Sequence, residues 1–212
     1  VIKVTNARQS PLSTLSAEEY YDGKKRAAEV ADRISPTLQD ELTEKNLELG
    51  APVFIRIFKQ TRELELWIQN PRTQKFKLFK TYLIAAMSGD LGPKLAEGDR
   101  QAPEGFYAVG RNLMNPRSRY HLAFNIGYPN AYDTQNRRTG SAIMVHGSRF
   151  SIGCFAMTDE KIEEIYTLCD AALANGQGFF RVHSFPFRLT PENLKTQQNH
   201  VWHGFWENLQ PG

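Results

Sequence analysis

The sequence is short of long apolar runs, of charge of one sign and of cysteine. No apolar run approaches the roughly 20 residues of a membrane-spanning helix, so an integral membrane protein is excluded for the chain as given. The 26 basic and 23 acidic residues are interspersed and leave a net charge of +3, without the basic stripe of a nucleic-acid-binding protein. Only two cysteines are present, and this count leaves a disulfide, a nucleophile and core packing all open.

The remaining composition is that of an ordinary globular protein, with 41% hydrophobic and 23% charged residues. A chain of 212 residues is long enough for one well-buried core and a short accessory segment, because a single domain commonly takes about 100–200 residues. No internal repeat is present. The sequence begins at Val1 rather than at Met, so we expect that an N-terminal piece such as a signal peptide or an anchor was removed.

Helical signals dominate the first 50 residues. Residues 16–19, SAEE, have the spacing of a capping box and predict a helix over residues 20–34. Proline at position 36, directly after Ser35, is typical of a helix start and predicts a second helix that ends at Gly50. Residues 1–50 are therefore predicted to be an extended lead-in followed by two accessory helices on the surface of the main domain.

From residue 51 the apolar period changes from helical to two, which is the period of a strand. Alternation over residues 53–58 and 64–68 predicts a hairpin, and a third strand at 76–84 completes an antiparallel meander. Further strands are predicted at 106–109, 120–126, 142–146 and 179–185, a long ordered loop at 87–105, and helices from Thr158 and Thr190. The sequence thus predicts an α+β fold that is mainly β with flanking helices.

A histidine and a cysteine bound the segment HGSRFSIGC, which joins a predicted strand to the helix expected from Thr158. Cys154 follows a glycine and precedes a helix N-terminus, where free N–H groups and the helix dipole favour a thiolate. His146 ends the preceding strand, and imidazole and thiol are the minimal pair for acyl transfer. The alternatives are a small core side chain for Cys154 and a carbonyl-bound structural role for His146.

The second cysteine and the other histidines are predicted to be structural. Cys169 falls on the apolar face of the predicted helix, about 16 Å along its axis from Thr158 at about 1.5 Å per residue, so we expect it in the core and unpaired. His183 lies in a predicted strand. His200 and His203 have the spacing of two metal ligands, but no third ligand cluster is evident, and neither a metal nor a cofactor is expected.

Loop polar residues are the remaining candidates for holding a charged substrate, because loops on a rigid scaffold carry most binding residues. Each is individually more typical of solvated surface. They are Lys94, Asp99, Arg119, Asn130 and Asp133.

Six segments resemble the L,D-transpeptidase (YkuD-type) family of bacterial cell-wall enzymes, and specifically its YafK-like branch. They are GAPVFIRIFK, SGDLGPKLAEGD, PEGFY, FNIGYPNAYD, VHGSRFSIGCFAMT and FWENLQPG. The similarity covers residues 51–212 and implies one catalytic domain built as a β-barrel or sandwich. It also implies peptidoglycan stem peptides as the substrate and the periplasm as the location.

The resemblance assigns roles within the histidine–cysteine segment. It implies Cys154 as the nucleophile and His146 as the general base, with the backbone N–H groups of Gly153 and Cys154 available to an oxyanion. Gly147 occupies the position whose carbonyl orients the imidazole. Ser151, three residues before the cysteine, joins the candidate substrate-binding residues.

Two positions depart from the wider family, which has a histidine two residues before the cysteine and an arginine two residues after it. Here those positions hold Ile152 and Ala156. The YafK-like branch is associated with hydrolysis of the diaminopimelate–lysine link that attaches an outer-membrane lipoprotein to peptidoglycan, and the resemblance favours this amidase reaction. L,D-transpeptidation or L,D-carboxypeptidation of tetrapeptide stems is the enzymatic alternative. A non-catalytic peptidoglycan-binding module is a further one.

Overall fold

A computed structural model of the chain describes residues 17–210 and contains two β-sheets and five α-helices in that range. The fold is therefore α+β, as predicted. The strands are β1 (Val53–Phe58), β2 (Glu63–Gln69), β3 (Phe76–Leu83), β4 (Gly105–Gly110), β5 (Met114–Asn115), β6 (Ala123–Asn125), β7 (Met144–His146), β8 (Phe155–Ala156) and β9 (Phe179–Phe185). The helices are α1 (Ala17–Glu44), α2 (Ala131–Gln135), α3 (Asp159–Ala174), α4 (Pro191–Thr196) and α5 (His203–Leu209).

The larger sheet has five strands in the order β3-β2-β1-β9-β4. The predicted meander is confirmed, because β1 pairs antiparallel with β2 and β2 with β3. Alternation along β1 places Ile55 and Ile57 in the core, and Leu64 and Leu66 of β2 join them with no exposed surface. The parallel β1–β9 pair brings a strand from the far end of the chain to the sheet's centre.

The smaller sheet has four short strands in the order β5-β6-β7-β8. The strands predicted at 120–126 and 142–146 are present only as β6 and β7, of three residues each. Left-handed backbone shortens both, since His121 has φ of 69° and Ala142 has φ of 55°, and this conformation is incompatible with an extended ladder. The elements were predicted, but their lengths were overestimated.

The prediction of two N-terminal helices was wrong, because α1 is one helix with Pro36 inside it. Proline removes one backbone hydrogen bond and costs about 3 kcal/mol in a helix interior. The apolar face continues across it, with Val30 before and Leu38 and Leu42 after it buried in the main core beside α3. Burial of each such side chain contributes about 1.5–3 kcal/mol, which outweighs the proline. The capping box at 16–19 lies partly outside the described residues.

The helix predicted after Thr158 is confirmed as α3, and Cys169 lies within it as a fully buried core residue. Cys154 and Cys169 are both free thiols. Thr158 occupies the N-cap position with φ of 84°, but its side chain makes no capping hydrogen bond. Asp159 instead accepts a hydrogen bond from the Ser148 N–H at 2.7 Å, which ties the start of α3 to the loop after β7.

The C-terminal helices cover a second apolar cluster at the end of the larger sheet, centred on Phe58, Phe187 and the fully buried Trp206. The helix expected from Thr190 is present as α4, with the Thr190 hydroxyl accepting from the Asn193 N–H. No helix among residues 17–210 is both long and apolar enough to cross a membrane.

Candidate active site

The histidine and the cysteine singled out in the sequence lie on neighbouring strands of the smaller sheet. His146 ends β7, and Cys154 directly precedes β8, which pairs parallel to β7 through Val145–Phe155 and His146–Ala156. Cys154 is thus one strand across and two residues back from His146. At about 3.3 Å per residue and about 4.8 Å between strands, this diagonal places the two Cα atoms about 8 Å apart.

His146 is buried, and its ring has a fixed orientation. Its Nδ1 lies 2.6 Å from the Gly147 carbonyl oxygen, and because a carbonyl only accepts, Nδ1 is the protonated nitrogen. The Nε2 lone pair of the neutral ring is therefore free to take a proton. Burial lowers the pKa of His146, although the Gly147 carbonyl opposes the shift. The Tyr120 ring lies against the imidazole, with centroids 4.8 Å apart.

Gly147 has a steric reason to be glycine. A Cβ at this position would lie 2.5 Å from Asp159 Oδ1 and 2.6 Å from the Tyr120 carbonyl oxygen. The Gly147 N–H donates to the carbonyls of Tyr120 and Leu122, at 3.0 and 3.1 Å. These contacts fix the peptide whose carbonyl orients His146.

Cys154 is half-buried, and its sulfur lies against the backbone that leads into β7. Its Sγ accepts the Met144 N–H at 3.3 Å and lies 3.6 Å from the Ala142 carbonyl. Burial raises the pKa of the Cys154 thiol, while the Met144 N–H and the charge of Lys94 act to lower it. Burial has the larger effect, so the neutral thiol is favoured, contrary to the thiolate expected from the sequence. The sequence had pointed to the N-terminus of α3, whose first turn already carries Asp159 and Glu160.

The backbone donors expected at an oxyanion are not both free. The Gly153 N–H donates to Ser88 Oγ at 2.7 Å, and Ser88 Oγ in turn donates to the Arg100 carbonyl at 2.6 Å. Ser151 was expected to contact substrate, but its hydroxyl donates to the Cys154 carbonyl at 2.7 Å. Ser88 was missed from the sequence, because it lies in the long loop over residues 87–105 without a periodic signal.

The predicted substrate-binding residues separate into two groups, of which one lies near Cys154. Lys94 borders a cavity that Cys154 also lines, but its ammonium is held by Asp99 at 2.5 Å and by the Ala96 carbonyl at 2.8 Å. Asp99 accepts three backbone N–H groups, and its pKa is lowered to about 2 despite partial burial, by those bonds and by Lys94. Arg119 is exposed in the turn before Tyr120.

Asn130 and Asp133 belong to internal contacts of α2. They form its reciprocal capping box, and the Asn130 amide also donates to the Phe106 carbonyl at 3.0 Å. Asp133 is buried in an ion pair with Arg138 at 2.7 Å and accepts from the Tyr107 hydroxyl at 3.2 Å. The structure does not bring these two side chains to Cys154.

Of the remaining histidines, His183 and His200 pack against aromatic rings, whereas His121 and His203 lie beside Glu163 and Glu207. His183 lies between Phe54 and Phe106, and burial lowers its pKa to about 4. His200 stacks on Trp206 with centroids 4.4 Å apart, and His203 lies 3.5 Å from Glu207. Within the described range, no three His, Cys, Asp or Glu side chains are grouped as metal ligands.

Comparison with known proteins identifies the family to which the chain is similar. Residues 52–203 match the model of the YkuD family, described as the L,D-transpeptidase catalytic domain. The YafK proteins of Escherichia coli K12 and of Escherichia coli O157:H7, both provisionally named as L,D-transpeptidases, are each 44% identical over 164 residues. Each match covers 77% of this chain and 66% of the relative, so the chain spans about two thirds of those proteins.

A solved structure shares the fold. A mutant of the helical cell shape determining protein Pgp2 from Campylobacter jejuni aligns with a TM-score of 0.52 and 23% identity. The alignment covers 74% of this chain and 56% of that chain. At this level of identity the likeness concerns the fold alone.

Proposed function

Because the chain belongs to the YkuD family of L,D-transpeptidase catalytic domains, we propose that it is a periplasmic cysteine amidase of peptidoglycan. Its substrate is the amide that joins the L-centre carbonyl of diaminopimelate to the lysine side chain of an outer-membrane lipoprotein. The observation that carries the proposal is the Nδ1 contact of His146 with the Gly147 carbonyl, which leaves Nε2 as a base beside β8, the strand that directly follows Cys154.

The resting pair is a neutral thiol and a neutral imidazole. Burial raises the pKa of Cys154 and lowers that of His146, so both shifts disfavour the charged forms. Proton transfer from Sγ to Nε2 therefore accompanies attack, as in general base catalysis. The resulting imidazolium then holds the proton that the leaving amine needs.

The reaction has two halves. In the first, Sγ of Cys154 bonds to the diaminopimelate carbonyl carbon as Nε2 of His146 takes the thiol proton; the C–N bond then breaks, and Nε2 gives that proton to the lysine amine. In the second, Nε2 takes a proton from water as its oxygen attacks the thioester, and the sulfur leaves and is reprotonated. The products are a tripeptide stem with a free carboxyl group and a lipoprotein with a free lysine.

The two positions that depart from the wider family support hydrolysis. Ala156 is fully buried in β8, where its N–H donates to the Ala86 carbonyl at 2.9 Å, so an arginine side chain would not fit there. Ile152 lines the cavity beside Cys154 and is 74% exposed, so it offers an acceptor amine an apolar side chain and no polar partner. Water needs no such partner to reach the thioester.

Incubation with lipoprotein-bearing sacculi tests the proposal, with Cys154→Ala as the control. We expect released lipoprotein and tripeptide muropeptides, detected by mass spectrometry, from the unmodified chain alone. The L,D-transpeptidase alternative, which the family and the YafK similarity favour, would instead give 3-3 crosslinks, and L,D-carboxypeptidation would give loss of D-alanine from tetrapeptides. A non-catalytic binding module would bind to the sacculi without changing any muropeptide.

A further inference from the structure

A cavity of about 140 Å³ opens directly beside Cys154. One wall comes from the long loop, with Lys94, Glu97 and Arg100, and the other from residues 140–143 and 152–154. A site that holds one water molecule needs only about 10–15 Å³ on the same measure, so the cavity has room for several groups of that size. The head group of an amino acid, an α-carbon with its ammonium and carboxylate, has five heavy atoms.

The charges on the loop wall are of both signs, and two of them are free. Lys94 is neutralised by Asp99. The side chains of Glu97 and Arg100 are exposed and form no ion pair with any described residue. Two residues that line the cavity therefore carry charges, a guanidinium and a carboxylate, that have no ion-pair partner among the described residues.

The backbone of Arg100 is held against the residue before the nucleophile. Its φ is 56°, a left-handed conformation that costs a non-glycine residue roughly 1–3 kcal/mol and persists where surrounding contacts enforce it. Those contacts are the Ser88 hydroxyl on the Arg100 carbonyl and the Asp99 carboxylate on the Gln101 N–H. A Cβ added at Gly153 would lie 3.8 Å from the Arg100 carbonyl carbon, so the two backbones are neighbours with room for no more than a small side chain between them.

We propose that this cavity binds the zwitterionic D-centre of the substrate's diaminopimelate, with Arg100 pairing with the carboxylate and Glu97 with the ammonium. The assignment rests on the proposed function, since it places the L-centre carbonyl of that same residue at Cys154. A guanidinium and a carboxylate form parallel charge-assisted hydrogen bonds, which gives Arg100 selectivity for a free carboxylate over an amide.

The test measures binding to the inactive Cys154→Ala chain by calorimetry, so no turnover is needed. The probes are the tripeptide L-alanyl-γ-D-glutamyl-diaminopimelate and the same peptide with its D-centre carboxyl amidated. We expect Arg100→Gln to weaken binding of the free acid by about 10- to 100-fold, the range for a charge-assisted pair. The amidated peptide should bind weakly and be insensitive to Arg100→Gln. Glu97→Gln should weaken both peptides.

Arg72→Gln is the charge-matched control, because Arg72 is exposed in the turn between β2 and β3 and does not line the cavity. Arg100→Lys keeps the positive charge but lacks the planar guanidinium, so this variant should bind the free acid with intermediate affinity. Such a result would distinguish loss of carboxylate recognition from misfolding of the variant. Equal binding of the two peptides, or loss of both to the same extent with Arg100→Gln, would overturn the assignment. Binding that depends on Arg100 in a protein that releases no lipoprotein would support the assignment and refute the proposed amidase reaction.

Discussion

The two sheets differ in strand length and in what they carry. The strands of the larger sheet have six to eight residues, whereas those of the smaller sheet have two or three. His146 ends one strand of the smaller sheet and Cys154 directly precedes another, so few ladder hydrogen bonds hold them. Contacts with the Gly147 carbonyl, the Ser88 hydroxyl and the Met144 N–H hold this segment instead. We therefore expect substitutions in the larger sheet to change the free energy of unfolding more than the activity. Substitutions at His146 and Cys154 should do the reverse.

A buried ion pair connects the larger sheet to the long loop that borders the cavity beside Cys154. Lys59, directly after β1, lies 3.0 Å from Glu104, and neither side chain has any exposed surface. The Lys59 ammonium also donates to the carbonyls of Gly92 and Ala102, at 2.8 and 2.9 Å, and Glu104 accepts from the Gly92 N–H and the Trp206 indole. The larger sheet thereby fixes both ends of the loop whose middle carries Arg100.

The largest expected effect is on activity alone. Cys154→Ala should lower peptidoglycan amide hydrolysis by at least about 1,000-fold, because losing a nucleophile removes the covalent route. The midpoint of thermal unfolding should not change measurably, since the side chain is half-buried beside a cavity. Cys169→Ala is the matched control and should show the reverse, with near-normal activity and lower stability because it creates a fully buried void. Full activity in Cys154→Ala would end the assignment of the nucleophile.

The next largest effect concerns stability. Lys59→Met should lower the free energy of unfolding by about 3–5 kcal/mol, because it leaves the Glu104 carboxylate buried without its partner. Lys25→Met removes one member of an exposed i,i+4 pair and should change it by less than about 0.5 kcal/mol. Denaturant unfolding followed by circular dichroism measures both. A loss below about 1 kcal/mol for Lys59→Met would show that the pair does not anchor the loop.

The reactivity of the two thiols should differ in its pH dependence. A raised pKa leaves less Cys154 thiolate at neutral pH, so alkylation by iodoacetamide should be slow at pH 7 and keep rising beyond pH 9.0, the ordinary value. Cys169, fully buried in α3, should remain unmodified in the folded chain, and peptide mass spectrometry separates the two sites. A Cys154 rate that levels off below pH 7 would indicate a resting thiolate–imidazolium pair instead.

Features that depend on residues near in sequence could be predicted from the sequence, whereas features that depend on contacts between distant residues could not. Local patterns correctly predicted the meander of β1 to β3 and the helix after Thr158, because each depends on residues near in sequence. The roles of His146 and Cys154 stay a prediction. Pro36 led to the wrong prediction of a helix boundary. The helix continues through it because the apolar face of α1 is buried against the rest of the protein, which local sequence does not show. The contact of Ser88 with Gly153 joins residues 65 positions apart, and no periodic pattern encodes it.

The smallest expected effect tests whether the loop positions the site or obstructs it. The Ser88 hydroxyl bridges the Gly153 N–H and the Arg100 carbonyl, so Ser88→Ala should loosen the segment that carries Cys154. We expect a decrease in kcat of between about 2- and 10-fold, the worth of one neutral hydrogen bond, with little change in KM. Ser88→Thr retains the hydroxyl and should restore most of the rate. If kcat rises instead, the Ser88 hydroxyl competes with the oxyanion for the Gly153 N–H. The long loop would then slow the reaction rather than support it.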